Sequence, residues 1–275
     1  MSTYRIYVDS RERKSGSNTS FEFQLPYSIA IREKSLALID VVCVPNTILT
    51  VEEDKNDRIW VREFLADGSS AVREPQLRPG YYTVESLRAE IEGTLNFGEG
   101  KQLTGSYRVN YSERQARYTF YNTSLPQGDA FILYTEQDYP QIGVPAKPVK
   151  ELNGAWRQLG LVEGPHIVAN ITSPNAVASG APNMQQNTQL FIKTSLGIPA
   201  MSVGPRGNMS IARRVILDAP TFALCVDRHT TSWDTITIPP STISTFTMQL
   251  CGYDGEPVDL QGVPWLCPMS IFRDQ

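Results

Sequence analysis

Histidine is almost missing from this chain. Its 275 residues hold two, His166 and His229, so a histidine-based metal site or catalytic triad would have to be built around one of them. His229 lies in CVDRHTTSWD with Asp227, Ser232 and Asp234 nearby, but closeness along a loop is not the spatial order that a triad requires. His166, after Gly164-Pro165, reads as the start of a strand. Cysteine is scarce as well. Cys43, Cys225, Cys251 and Cys267 lie far apart in apolar, strand-like runs, which suits buried free thiols better than a disulfide framework or a zinc cluster. No Walker or dinucleotide spacing is made by Gly93, Gly98 and Gly100. The acidic run at Glu52, Glu53, Asp54 and Asp57 contains Lys55 and Asn56 and reads as a solvated loop rather than a pair of catalytic carboxylates or a calcium loop. No catalytic, cofactor-binding or metal-ligating residue is therefore assigned.

Charge and hydropathy narrow the class further. A net charge of −4 argues against a dominant nucleic-acid-binding face, which needs clustered cations. Arginine outnumbers lysine eighteen to seven, a bias that favours protein interfaces, where guanidinium groups are enriched and lysine is depleted. No stretch reaches the run of about eighteen apolar residues that a membrane-spanning helix needs. The opening MSTYRIYVDSRERK lacks the hydrophobic core of a secretion signal. The expectation is a chain assembled inside the cell and not secreted, in which the sequons at Asn18, Asn110, Asn122, Asn170 and Asn208 stay unmodified.

What the chain does have is a succession of short period-two segments. Near the C-terminus Phe246, Met248 and Leu250 alternate with Thr245, Thr247 and Gln249, the pattern of a half-buried strand. Asp254-Gly255 is a reversal, and a last apolar run covers residues 263–272, within which Pro268 must sit at an edge or a bulge. Earlier candidates are Tyr4, Ile6 and Val8; Phe21, Phe23 and Leu25, stopped by Pro26; and residues 35–44, apolar on both faces apart from Asp40 and so read as a central strand covered on both sides. Further strands are predicted at 59–65, 107–111, 118–120, 130–134, 166–171, 189–195, 210–217, 222–226 and 234–238. One convincing helix covers residues 83–95, with Thr83 as N-cap and Ser86 in place of the usual capping-box Glu. A shorter one is predicted at 149–158. Strands that follow one another with so few helices between them exclude a parallel α/β arrangement and predict an all-β sandwich of two antiparallel sheets. One domain over 1–275 is expected, with residues 140–187, rich in Pro, Gly, Asn and Ser, forming an insertion or long loops at one end.

Several motifs in this order resemble the minor capsid, or penton, proteins of virophages, polintons and adintoviruses. They are DSRERKSGSNTSFEFQLP, LALIDVVCVPNTI, PGYYTVESLRAEI, YRVNYSERQARYTF, the LGL at Leu159 to Leu161, and YDGEPVDLQGVPWLCPMSIF. The resemblance spans nearly the whole chain; it departs at Leu266-Cys267-Pro268 and offers no counterpart for residues 140–187. It implies a single jelly roll, homopentamers at the fivefold vertices of an icosahedral capsid, contacts with a double-jelly-roll major capsid protein and with other minor capsid proteins, and a place in the virion. It supplies no catalytic residues. Residues 1–24 are then expected to form an arm or edge strand. Arg11, Glu12 and Arg13 are its candidate assembly contacts, and this arm is the one place where the genome could be touched. Removal of residues 1–15 is expected to leave the monomer folded while impairing incorporation. The alternative is a carbohydrate- or receptor-binding β-sandwich, which uses the same kind of fold through its end loops.

Overall fold

The computed structural model describes residues 4–64, 67–97, 106–122, 131–135, 154–161, 167–168, 176–185, 187–199, 211–228 and 234–273. The chain divides into two compact units, one made of Met1–Ile48 with Asn187–Gln275, the other of Leu49–Gln186. In the first unit the chain opens with β1 (Tyr4–Asp9), β2 (Arg13–Gly16), β3 (Ser20–Ile31), β4 (Ser35–Ile39) and β5 (Val42–Pro45). The second unit contributes β6 (Val61–Phe64), β7 (Ser70–Arg73), α1 (Val84–Phe97), β8 (Tyr107–Ser112), β9 (Arg117–Asn122), β10 (Phe131–Leu133), β11 (Ile167–Val168) and β12 (Ala176–Ala178). The chain then returns through β13 (Gln189–Thr194), β14 (Ile198–Pro199), β15 (Ile211–Ile216), β16 (Leu224–Asp227), β17 (Thr235–Ile238), β18 (Ser241–Cys251) and β19 (Leu266–Arg273).

The first unit is a jelly roll. β4 and β5 are one strand interrupted at Asp40 and Val41, and β16 and β17 pair with its two halves. One sheet then runs β1, β19, β4/β5, β16/β17, and the other runs β3, β18, β13, β15. Counted in chain order, these eight strands take the orders 1-8-3-6 and 2-7-4-5, the two interlocked Greek keys of the jelly roll. Every described strand pairing of this unit is antiparallel, and a continuous core fills the space between the sheets. Ile6, Val8, Ile39 and Met269 come from one side, Phe23, Leu190, Phe246 and Met248 from the other. The Phe23 and Phe246 rings meet at 5.5 Å between centroids.

Two prolines stand where strand patterning would exclude them, each for a local reason. β3 does not stop at Pro26. Residues 25–28 lie between the ladder pairs Gln24↔Thr245 and Ile29↔Ile243, where β18 supplies only Ser244, so the missing N–H falls in a bulge. Pro268 sits inside β19, a central strand rather than an edge. Its carbonyl accepts from the Asp40 amide at 3.0 Å, so the side of Pro268 that lacks a donor faces the interruption between β4 and β5, where no ladder bond is lost. The break in β4/β5 also moves the side-chain alternation by one: Ser35, Ala37 and Ile39 point inward, then Val42 and Val44.

Arg213 crosses the core. It belongs to β15, yet its guanidinium donates to the Ile39 carbonyl and, at 3.2 Å, to the Asp227 carbonyl of the opposite sheet, and lies 3.3 Å from the Asp227 carboxylate. Both side chains are essentially removed from water, where an ion pair has to satisfy its own hydrogen-bonding groups to offset lost hydration.

The second unit has its own core, around Leu87, Ile91, Leu95, Tyr118, Phe120 and Phe131. Its sheets run β11, β10, β6, β7 and β12, β9, β8. The helix begins as its sequence predicts: the Ser86 amide donates to the Thr83 hydroxyl at 3.2 Å and the Thr83 amide to the Ser86 hydroxyl at 2.9 Å, a reciprocal cap with serine in the acceptor role. Leu87, Ile91 and Leu95 form its buried stripe. Asn96 fastens the helix to β8 by donating to the Tyr107 carbonyl at 2.7 Å and accepting from the Tyr107 amide at 2.8 Å. Here the single-domain expectation meets a different partition. The helix and the Tyr107 hairpin pack in an inserted unit that begins at Leu49, far ahead of residue 140, because the strands of both units carry the same alternating pattern and no change of composition marks the boundary. Residues 154–160 form hydrogen-bonded turns, with Leu159 N–H on the Ala155 carbonyl, rather than the end of a helix; residues 149–153 and His166 lie outside the described residues.

Breaking the Arg213–Asp227 pair from one side leaves the other charge buried. Arg213→Met should therefore destabilise the first unit by about 3–5 kcal/mol, and the Arg213→Met, Asp227→Leu double variant by clearly less, both measured by urea unfolding.

Candidate functional site

The residues singled out as assembly contacts lie in the connection from β1 to β3. Asp9 caps a single 3-10 turn at Ser10–Glu12. Its carboxylate accepts from the Arg11 amide at 2.9 Å and from the Arg11 guanidinium, which holds the Asp9 carboxyl below its ordinary range despite partial burial. Arg13 donates to the Ser10 carbonyl at 2.8 Å and to the Gly16 carbonyl at 3.3 Å. Arg11, Glu12 and Arg13 are all exposed, and both guanidinium groups are engaged in shaping their own turn. Gly16, at φ +97°, closes the next reversal, where a Cβ would come within 2.4 Å of the Ser20 carbonyl oxygen.

This connection is locked to the C-terminal strand by Trp265, which the reading of the sequence did not single out. The Ser10 amide donates to the Trp265 carbonyl at 3.0 Å, and the Trp265 amide returns a bond of 3.0 Å to the Ser10 hydroxyl. The indole N–H donates to the Asn18 carbonyl at 2.9 Å, Asn18 reaches the Val263 carbonyl, and the indole meets Phe21 edge-on at 5.9 Å. Thr19 and Thr47 add hydroxyl bonds to the carbonyls of Val258 and Leu260 at 2.6 and 2.8 Å, so the loop before β19 is bound along its length. A tryptophan after Gly-Val-Pro at the head of an apolar run was the available signal.

Of the arm or edge strand expected for residues 1–24, the structure has an edge strand from Tyr4 to Asp9. Tyr4–Asp9 pairs with β19 from Tyr4↔Ile271 to Asp9↔Leu266, and Ile6 and Val8 lie in the core. The deletion of residues 1–15, expected from the sequence to leave the monomer folded, takes away in this structure a strand, two core side chains and Ser10, and should unfold the first unit.

Among the described residues nothing converges as a catalyst would. No group of three or more His, Cys, Asp or Glu is placed to hold a metal ion. Burial pushes the thiols of Cys43, Cys225, Cys251 and Cys267 upward, Cys251 to about 11, so none is poised as a thiolate nucleophile. In the acidic run, Glu53 and Asp54 are exposed but Glu52 and Asp57 are buried. Asp57 accepts from the Asp54 amide at 3.1 Å and from the Gln76 side chain at 2.8 Å, a brace for the turn rather than the fully solvated loop expected. In the second unit Tyr107 donates to the buried Glu63 at 2.7 Å, and burial together with that carboxylate raises the phenol far above its ordinary range. His229 lies outside the described residues.

No protein-family model matches the chain, and no curated protein matches it. Solved structures do. The chain is similar to the mavirus penton protein, at 10% identity over 99% of this chain and 99% of that one, with a TM-score of 0.52. A chain of the Sputnik virophage matches at 10% identity over 99% and 97% of the two, with a TM-score of 0.42. The mavirus comparison shows that this chain is built on the fold of a penton protein.

If Trp265 is the lock, Trp265→Ala should cost about 3–5 kcal/mol of stability and removal of residues 1–15 should abolish cooperative unfolding of the first unit. The Arg11→Ala, Arg13→Ala double variant should leave its thermal midpoint nearly unchanged. Circular dichroism melting of the full chain and of these variants checks all three.

Proposed function

We propose that this chain is a structural minor capsid protein of the penton type and not an enzyme. The observation that carries this reading is the jelly-roll order of the first unit within a full-length fold shared with a penton protein. In this reading five copies, related by rotation, close a ring through heterologous contacts, one side of each subunit meeting the other side of the next. The ring fills the fivefold vertex of an icosahedral shell and is bordered by a double-jelly-roll major capsid protein. The exposed turn with Arg11, Glu12 and Arg13 would face a neighbouring capsomer or the shell interior. Among the described residues no helix is long and apolar enough to cross a membrane; the reading needs no membrane partner and no cofactor.

Sedimentation velocity of the purified chain, alone and mixed with the major capsid protein of the same particle, tests the reading. The expected result is a species of five chains of 30.7 kDa each that joins the larger protein in assembled shells. A chain that stays monomeric and is excluded from those shells contradicts it.

A further inference from the structure

The two sheets of the jelly roll have opposite outer faces. On the sheet of β3, β18, β13 and β15, the outward side is polar where its central strands pair, with Gln24 beside Thr245 and Glu22 beside Thr247. That is the alternation expected of an antiparallel sheet with one solvated face. The sheet of β1, β19, β4/β5 and β16/β17 breaks the rule. Leu266, Cys43 and Val226 stand side by side across three strands of its outer face, and Leu36, Thr237 and Ile198 line another row. Tyr7 is 70% exposed, Ile198 66%, Leu224 59% and Val226 41%. The strand read from the sequence as covered on both sides has an outer row, Leu36, Leu38 and Cys43, that is only half-buried.

We propose that this apolar outer face is the surface on which one copy of the chain packs against the next. The inference rests on the ring reading and names the face that the ring uses. Four strands and the nine residue steps from Leu36 to Pro45 give a face of roughly 20 Å by 30 Å. That whole face, polar residues included, is most of the roughly 800 Å² per partner that a stable interface buries. Charge selects the occupant. Within this sheet Arg5 is paired with Asp40 at 3.2 Å and Asp9 with Arg11. The exposed Arg228 lies near enough to Cys43 to act on it electrostatically. A neutral to weakly cationic face on a chain of net charge −4 leaves the remaining surface net acidic. It can therefore meet the net acidic remainder of an identical copy's surface without the like-charge cost that two acidic surfaces would impose.

The test uses the full chain with Leu224→Arg and Val226→Arg together, and Thr245→Arg on the polar sheet as the control. Sedimentation velocity should show wild type and control as the same oligomer and the double variant as a folded monomer, with at least a hundredfold weaker association and an unchanged circular dichroism spectrum. A folded double variant that still forms the wild-type oligomer overturns this face and leaves the ring standing. A wild-type chain that is monomeric at every concentration overturns the ring itself, and the face with it. Rings that persist in the double variant but no longer bind the major capsid protein assign the face to that partner and overturn the self-contact. Should the double variant not fold, Cys43 is the second readout, since it is the one of the four cysteines on the outer face. Its maleimide labelling in wild type should slow at least tenfold when the oligomer forms, and equal rates in oligomer and diluted monomer overturn the proposal.

Discussion

The jelly roll depends on its last strand. β19 lies between β1 on one side and β4/β5 on the other, so the first strand of the chain has no partner until the final residues arrive. Trp265, at the entrance to β19, then ties down the Ser10 turn and Asn18, and through Phe21 it touches the second sheet. Almost the whole chain, including an inserted unit, separates β1 from the strand it needs. The entropy of closing such a loop rises only slowly with its length, which is why an insertion of this size is tolerated thermodynamically. Its cost falls on the rate, since pairing of distant strands is slow.

This arrangement has consequences at the surface. A central β19 needs a neighbour able to accommodate Pro268, and the interruption at Asp40 and Val41 does so; Asp40, freed from the ladder's regular course, turns outward to Arg5 and Ser270. The resulting sheet is sealed on its inner side by the core and by the Arg213 strap, while its outer side carries leucine, valine and tyrosine where water would favour threonine and glutamine. Stability of the monomer explains the inner face. On the proposed reading, contact between copies gives the outer face its reason.

Much of this was legible in the residues. Period-two alternation located β1, β8, β9, β13 and β18, and the Thr83–Ser86 cap located the helix, because those signals are local. Pro26 misled, since whether a proline breaks a strand depends on what stands opposite, which only the register reveals; Pro268 was read as lying at an edge or a bulge, and it lies opposite the irregularity at Asp40 and Val41. The apolar run through residues 35–44 was rightly read as central, but its second face, expected to be buried, is only half-buried at Leu36, Leu38 and Cys43. The partition into two units was hidden for a related reason: strands of either core alternate alike. Of the candidate contacts, Arg11 and Arg13 were visible as a charge cluster, but their engagement with Asp9, Ser10 and Gly16 follows from a turn geometry that charge alone does not encode.

Hydrogen exchange resolved along the chain tests most directly whether the C-terminal strand holds the jelly roll together. Amides of Leu266, Cys267 and Met269–Ile271, in a strand paired on both flanks, should exchange among the slowest of the first unit, together with those of β4 and β5. Fast exchange throughout β19, with β3 and β18 still protected, would contradict the account, because the second sheet would then stand without the strand said to close the fold.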